Sequence, residues 1–189
     1  GMTIGLSFTL SLIAGPLLAS FFGVRGIFWT IAGLAVIGML LVKFAMPDIE
    51  KQNFQREAEA DPSQFKEILK HPQLLRLDFG VFVLHAMLTA MFVVLPLTLR
   101  DSAGLVTTEH WEIYLPVMLL SFVLMVPFII QAESRGRMKM VFVGAIATLT
   151  LMQLGFAFVP PSFWTLFVLL LIFFTAFNLL EASLPSLVV

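Results

Sequence analysis

Between Lys139 and Glu181 the chain carries no charged residue at all. A bilayer core about 30 Å thick takes up roughly 20 apolar residues as one helix. The uncharged run over residues 140–180 therefore reads as two membrane-crossing helices, 139–159 and 164–185, with Pro160, Pro161 and Ser162 forming a tight turn between them. The rest of the composition agrees. Of 189 residues 59% are hydrophobic and 12% charged, against about 45–50% and 25% in a soluble domain, and mean hydropathy is +0.99. A soluble core of this size cannot hide 20 Phe and 10 Met, because a chain of about 150 residues buries only about 70% of its unfolded surface. A cytosolic globular enzyme, a disordered tail and a disulfide scaffold are excluded. A closed β-barrel is disfavoured too, since its strands would alternate and these runs are continuously apolar.

The same criterion finds four more runs, giving six expected spans: 2–22, 26–46, 77–99, 112–132, 139–159 and 164–185. Only Lys43, Asp78, Glu112, Lys139 and Glu181 among the charged residues fall inside them, each near an end. The run at the N-terminus has neither a basic leader nor a small-residue cleavage signal, so it is not read as a signal peptide. Counting Lys and Arg on alternate sides places nine on one face (Lys43, Lys51, Arg56, Lys66, Lys70, Arg76, Arg135, Arg137 and Lys139) and two, Arg25 and Arg100, on the other. The positive-inside rule puts 47–76, 133–138 and both chain ends in the cytoplasm. Segment 47–76 is the one long polar stretch and reads as a cytoplasmic linker. Asp61 as N-cap, Pro62 at the first helical position and Pro72 as terminator predict a short interfacial helix in its second half.

Several functions fail on inventory. A net charge of −1 gives no basic field for nucleic acid. With no cysteine there is no disulfide, thiolate metal site or cysteine nucleophile. His71, His85 and His110 lie in different segments without metal-binding spacing, so neither metal nor cofactor is expected. No nucleophile elbow and no phosphate loop occurs.

Ionisable groups inside membrane spans are costly, about 2.5–3.5 kcal/mol at a helix centre, and are functional candidates for that reason. Asp78 and His85, seven residues apart, share one face of the third span, and Thr89, Phe92 and Pro96 continue the stripe. Such a polar-aromatic line suits a cavity wall. Asp78 and His85 are about 10 Å apart along the axis, which fits a water-linked pair, and imidazole exchanges protons near physiological pH. A histidine bonded to a neighbouring helix backbone, and an aspartate capping the interface, fit the same residues. Glu181 stands near the cytoplasmic end of the last span. Gln153 and Asn178 suit a bond to substrate or to another helix, and the sequence does not separate the two.

In the first span Thr3, Ser7, Ser11, Gly15 and Ala19 give one face of small residues, which allows close helix approach in lipid. Gly15-Pro16-Leu17-Leu18-Ala19-Ser20, followed by Phe22-Gly23-Val24-Arg25-Gly26-Ile27-Phe28-Trp29, resembles the fifth helix of the major facilitator superfamily and the turn after it. In that family a Gly-Pro signature marks proton-coupled antiporters. Ala19 and Ser20 stand where the family pattern has two glycines, and Ser11 where it has another. Glu133-Ser134-Arg135-Gly136-Arg137-Met138-Lys139 resembles the acidic-x-x-Gly-Arg-x-basic cytoplasmic loop of the same superfamily. Lys66 to Gly80 and Asn178 to Pro185 look like the corresponding stretches of bacterial YajR-type efflux permeases.

This resemblance covers the whole chain and implies an all-α integral membrane protein, the six spans being helices five to ten of a twelve-helix fold. Residues 1–46 would be the last two helices of the N-terminal half, 47–76 the central loop, and 77–189 the first four helices of the C-terminal half. It implies a multi-pass transporter of the bacterial inner membrane, expected as a monomer, with a small-molecule substrate and protons as partners. Proton-coupled export of small amphipathic compounds is the leading reading, with uptake of a sugar or metabolite as the alternative. A complete six-helix channel or scaffold, and a membrane-embedded enzyme using Asp78, His85 and Glu181, are the readings of another class. By the resemblance Gly15, Pro16, Glu133, Gly136, Arg137 and Glu181 serve gating. Arg137 is expected to reach Glu181, and Glu133 the start of the first span, when the transporter is closed to the cytoplasm.

Overall fold

A computed structural model of the chain describes residues 2–45 and 69–184. Its helices are α1 (Met2–Ala45), α2 (Pro72–Ala103), α3 (Trp111–Ser134), α4 (Met138–Phe158) and α5 (Phe163–Ser183), with a 3-10 turn at Thr107–Glu109 before α3. The interfacial helix expected from Asp61 and Pro62 lies outside the described residues. Two compact units divide the chain, Ala14–Leu75 and Gly1–Ile13 with Arg76–Val189.

Among the described residues five stretches are long and apolar enough to cross a membrane: Leu17–Ala45, Pro72–Ala103, Thr107–Ser134, Met138–Phe158 and Phe163–Ser183. Six spans were expected, and the difference falls in α1. Instead of a three-residue turn between two spans, α1 departs from helical geometry only at Gly23, with φ 67° and ψ 177°. That backbone region is open essentially to glycine alone, so a single residue makes the break.

The other boundaries follow local chemistry. Pro72, expected to end a helix, instead opens α2, whose first position needs no N–H donor. The helix consequently starts five residues before the expected span. Phe158 ends α4 and Ser162 caps α5, its hydroxyl accepting from the Thr165 N–H at 3.3 Å. The Pro160-Pro161-Ser162 turn thus lies where the sequence puts it. At the other end of the α3–α4 hairpin, Gly136 at φ 59° lets the Arg137 N–H donate to the Ala132 carbonyl at 3.0 Å and the Gly136 N–H to that of Glu133 at 3.4 Å. This paired closure satisfies two carbonyls that a helix end leaves open.

α5 is the centre of the second unit. It packs on both α3 and α4, and Leu170, Phe173 and Phe174 are fully enclosed. A helix apolar all round and surrounded by others is what its composition predicts. Phe173 and Phe174 meet nearly edge to face, with ring centroids 5.3 Å apart. α2 contributes the buried stripe Leu84, Met91, Leu95 and Leu99. In the other unit most described apolar side chains of α1, from Phe21 to Phe44, are exposed, a surface suited to lipid.

Candidate functional site

The stripe that buries Leu84 and Met91 carries the next residues, His85 and Phe92, around to α5. His85 Nδ1 lies 3.0 Å from the carbonyl of Val81 one turn earlier, which accepts its N–H. Nε2 is thereby turned to the partner helix, where it stands 3.9 Å from Glu181 Oε2. That separation is too long for a direct hydrogen bond, and the two form an ion pair only when the imidazole is protonated. The side chains are 52% and 35% exposed, so the pair lines an accessible surface and is not locked in the core. Phe177, one turn before Glu181, presents its ring to the imidazole at 6.4 Å between centroids.

From there an aromatic line runs along the α2–α5 seam. Phe177 meets Phe174 at 6.3 Å, Phe174 meets Phe92 at 6.2 Å, and Phe92 meets Tyr114 of α3 at 5.8 Å. Tyr114 meets His110 in a T-shaped contact at 6.3 Å. The polar-aromatic stripe expected on the third span is thus matched by a second stripe on α5 that sequence periodicity did not pair with it. Thr89 spends its hydroxyl on the carbonyl of His85 at 2.8 Å, and Phe92 is half-buried. Asp78 is exposed on α2. It was the expected carboxylate for His85. Glu181 stands against the imidazole instead, because α5 lies alongside α2 whereas Asp78 is two helical turns away on the same helix.

Glu181 is correspondingly not in an ion pair with Arg137, and that expected pairing is absent among the described residues. Glu133, Gly136 and Arg137 are all exposed on the α3–α4 turn. Gly15 is half-buried, but among the described residues nothing lies within 4 Å of where its Cβ would stand. Pro16 belongs to α1, and its side chain, like that of Thr3, lies outside the described residues.

Asn178 makes a bond to another helix, one of the two uses the sequence offered. Its Nδ2 donates to Ser121 Oγ of α3 at 2.9 Å, while Ser121 donates to the Met118 carbonyl at 2.8 Å. Both residues are buried, at 8% and 0% exposure, so Asn178 ties two helices together. Gln153 is half-buried on α4, one turn beyond Leu149 in its buried stripe.

Three buried polar residues outside the expected site stand out: Ser121, His110 and Tyr114. Ser121 is the polar partner in a helix of otherwise apolar core positions. His110 Nε2 and Tyr114 Oη are enclosed with no hydrogen-bond partner among the described residues. Their i, i+4 spacing was the available signal, masked because His110 falls before the expected span.

The sequence model of the Major Facilitator Superfamily matches residues 1–189. The chain belongs to the major facilitator superfamily. Among curated relatives in this superfamily, "Inner membrane transport protein YajR" of Escherichia coli (strain K12) is 38% identical over 188 residues, covering 100% of this chain and 41% of that protein. "Uncharacterized transporter BU466" of Buchnera aphidicola subsp. Acyrthosiphon pisum is 29% identical over 98% of this chain and 48% of its own length. An "Uncharacterized transporter" of Buchnera aphidicola subsp. Baizongia pistaciae is 26% identical over 100% of this chain and 48% of its own. The chain therefore spans under half the length of these superfamily relatives. No solved structure gives a significant match. The relatives are transporters by name, and the membrane-embedded enzyme considered from the sequence has no counterpart among them.

Proposed function

We propose that this chain forms part of a proton-coupled secondary transporter that exports small amphipathic compounds by alternating access. The His85–Glu181 pair carries this reading. An imidazole and a carboxylate face each other at 3.9 Å across two helices, both partly exposed, in spans where ionisable groups are retained chiefly for function. With its Nδ1 engaged on its own helix, His85 exchanges its proton at Nε2. Protonated, it attracts the Glu181 carboxylate and holds α2 to α5. Deprotonated, it releases that attraction, so proton occupancy biases the seam between two arrangements. Beside the pair Phe92, Phe174 and Phe177 offer an apolar wall for the body of an amphipathic substrate.

In this reading residues 1–46 close the N-terminal half, 47–76 is the cytoplasmic central loop, and 77–189 begins the C-terminal half. Rocking of one half against the other moves a site near the midplane from face to face. The lysine and arginine asymmetry supports cytoplasmic chain ends, and the inner-membrane naming of the E. coli relative supports that location. The transporter works as a monomer.

The test uses the full-length protein in proteoliposomes with an imposed pH gradient and a panel of amphipathic dyes and drugs. Export is expected to collapse when a protonophore dissipates the gradient. His85→Gln and Glu181→Gln are each expected to fold and insert normally while flattening the pH dependence of transport. Export indifferent to the protonophore overturns proton coupling, and wild-type pH dependence in both variants removes the pair from it. Accumulation of a sugar or metabolite in place of extrusion replaces export with uptake.

A further inference from the structure

The turn between α3 and α4 carries three cations, Arg135, Arg137 and Lys139, all exposed. Among the described residues no ion pair neutralises them. Glu133, before the turn, is the one carboxylate in the same sequence stretch, so the local balance is positive. The first turn of α4 contains no acid, and its N-cap Arg137 supplies no side-chain cap, so the backbone N–H groups there add to the positive end.

Behind this turn lies a shallow depression of about 480 Å³, lined by Gly136, Arg137, Lys139, Met140 and Val143. Met140 is also a wall of a second, deeper cleft of about 540 Å³ between α3, α4 and α5. Met140 is the one residue that lines both spaces. From Met140 the cleft reaches Thr148, about 12 Å along α4 at 1.5 Å per residue. Its walls are mostly aliphatic and aromatic, including Leu124, Phe128, Ile172 and Leu179. Its two threonines are not open to a ligand's polar groups as donors. Thr148 donates to the Gly144 carbonyl at 2.9 Å and Thr175 to that of Leu171 at 2.7 Å.

A cationic depression beside a long apolar cleft, with Met140 lining both, fits an anionic head joined to a hydrocarbon chain. We infer that the α3–α4 turn and the cleft behind it form a binding site for an anionic membrane phospholipid. Its phosphate sits at Arg137 and Lys139, and one acyl chain passes Met140 into the cleft. Charge complementarity selects the head, since cations next to a span each favour an anionic lipid surface. The site is independent of substrate and of proton coupling and requires only that these helices cross a bilayer.

The experiment purifies the full-length protein from vesicles containing equal amounts of phosphatidylglycerol and phosphatidylethanolamine, which is uncharged overall, and measures the retained lipid by native mass spectrometry. The wild type is expected to keep phosphatidylglycerol preferentially. Arg137→Gln and Lys139→Gln should each weaken that retention about fivefold, and Lys139→Arg should preserve it. Gly144→Leu, which fills the cleft and leaves every charge in place, should also lower it. Equal retention of the two lipids by the wild type overturns the site without reference to any variant. Unchanged retention in Gly144→Leu together with a lowered melting temperature shows that another part of the protein occupies the cleft, which also overturns it. Displacement of phosphatidylglycerol by millimolar inorganic phosphate reduces the site to an anion site and overturns the acyl-chain assignment.

Discussion

Asn178 and Ser121, both buried, are joined by a side-chain hydrogen bond between two helices. In lipid such bonds contribute about 0.6–2 kcal/mol. Asn178→Ala should lower thermal stability in detergent, and a double-mutant cycle with Ser121→Ala should give a coupling of about 0.6 kcal/mol or more. A coupling of zero would show that Asn178 acts through packing alone. Tyr114 predicts the opposite sign. Its buried hydroxyl has no partner among the described residues, and a desolvated, unpaired group costs about 1–3 kcal/mol. Tyr114→Phe should therefore leave the melting temperature unchanged or raise it, and a clear drop would reveal a hydrogen bond to that hydroxyl. At this scale the sequence was half legible. His85 is identifiable as an ionisable residue in an apolar span, but the carboxylate that periodicity sets on its face is Asp78 and not Glu181. Periodicity orders residues around one helix axis and carries no information on which helix lies alongside, so Glu181 could not be chosen.

Helices were more legible, because their ends are decided by nearby chemistry. Pro160, Pro161 and Ser162 fixed the α4–α5 turn, and the glycine in the α3–α4 hairpin adopts the left-handed conformation that a tight helix end requires. Some local signals admit two uses. A proline can stop one helix or open the next, and at Pro72 it opens α2. Gly23 offered a turn and the structure uses it as a single-residue break in α1. A side chain at φ 67° and ψ 177° costs about 1–3 kcal/mol, so Gly23→Ala should destabilise the unit Ala14–Leu75 by that amount, read as a lower melting temperature of the purified protein. Gly33→Ala, at a helical position with open space around it, is the control expected to be neutral or slightly stabilising.

Membership of a transporter superfamily was legible over the whole chain, since the composition demanded a bilayer and short motifs in two separate turns agreed on register. The arrangement of helices about α5 was not, because lipid-facing and core-facing surfaces are equally apolar and the sequence does not mark which side is which. The length of α2 has a further consequence. It runs 32 residues, about 48 Å at 1.5 Å per residue, with the charges Asp78 and Arg100 bounding its apolar middle. Those charges stand about 33 Å apart along the axis, slightly more than an average hydrocarbon core. Upright, α2 sets both charges just inside the headgroup layers of an average bilayer, and in a thinner membrane it has to lean to keep them there. Since His85 rides on this helix and Glu181 on another, bilayer thickness becomes a control on their alignment. Transport measured in vesicles of successively longer acyl chains should pass through an optimum, and a flat profile would mean that α2 is held at a fixed inclination by its neighbours.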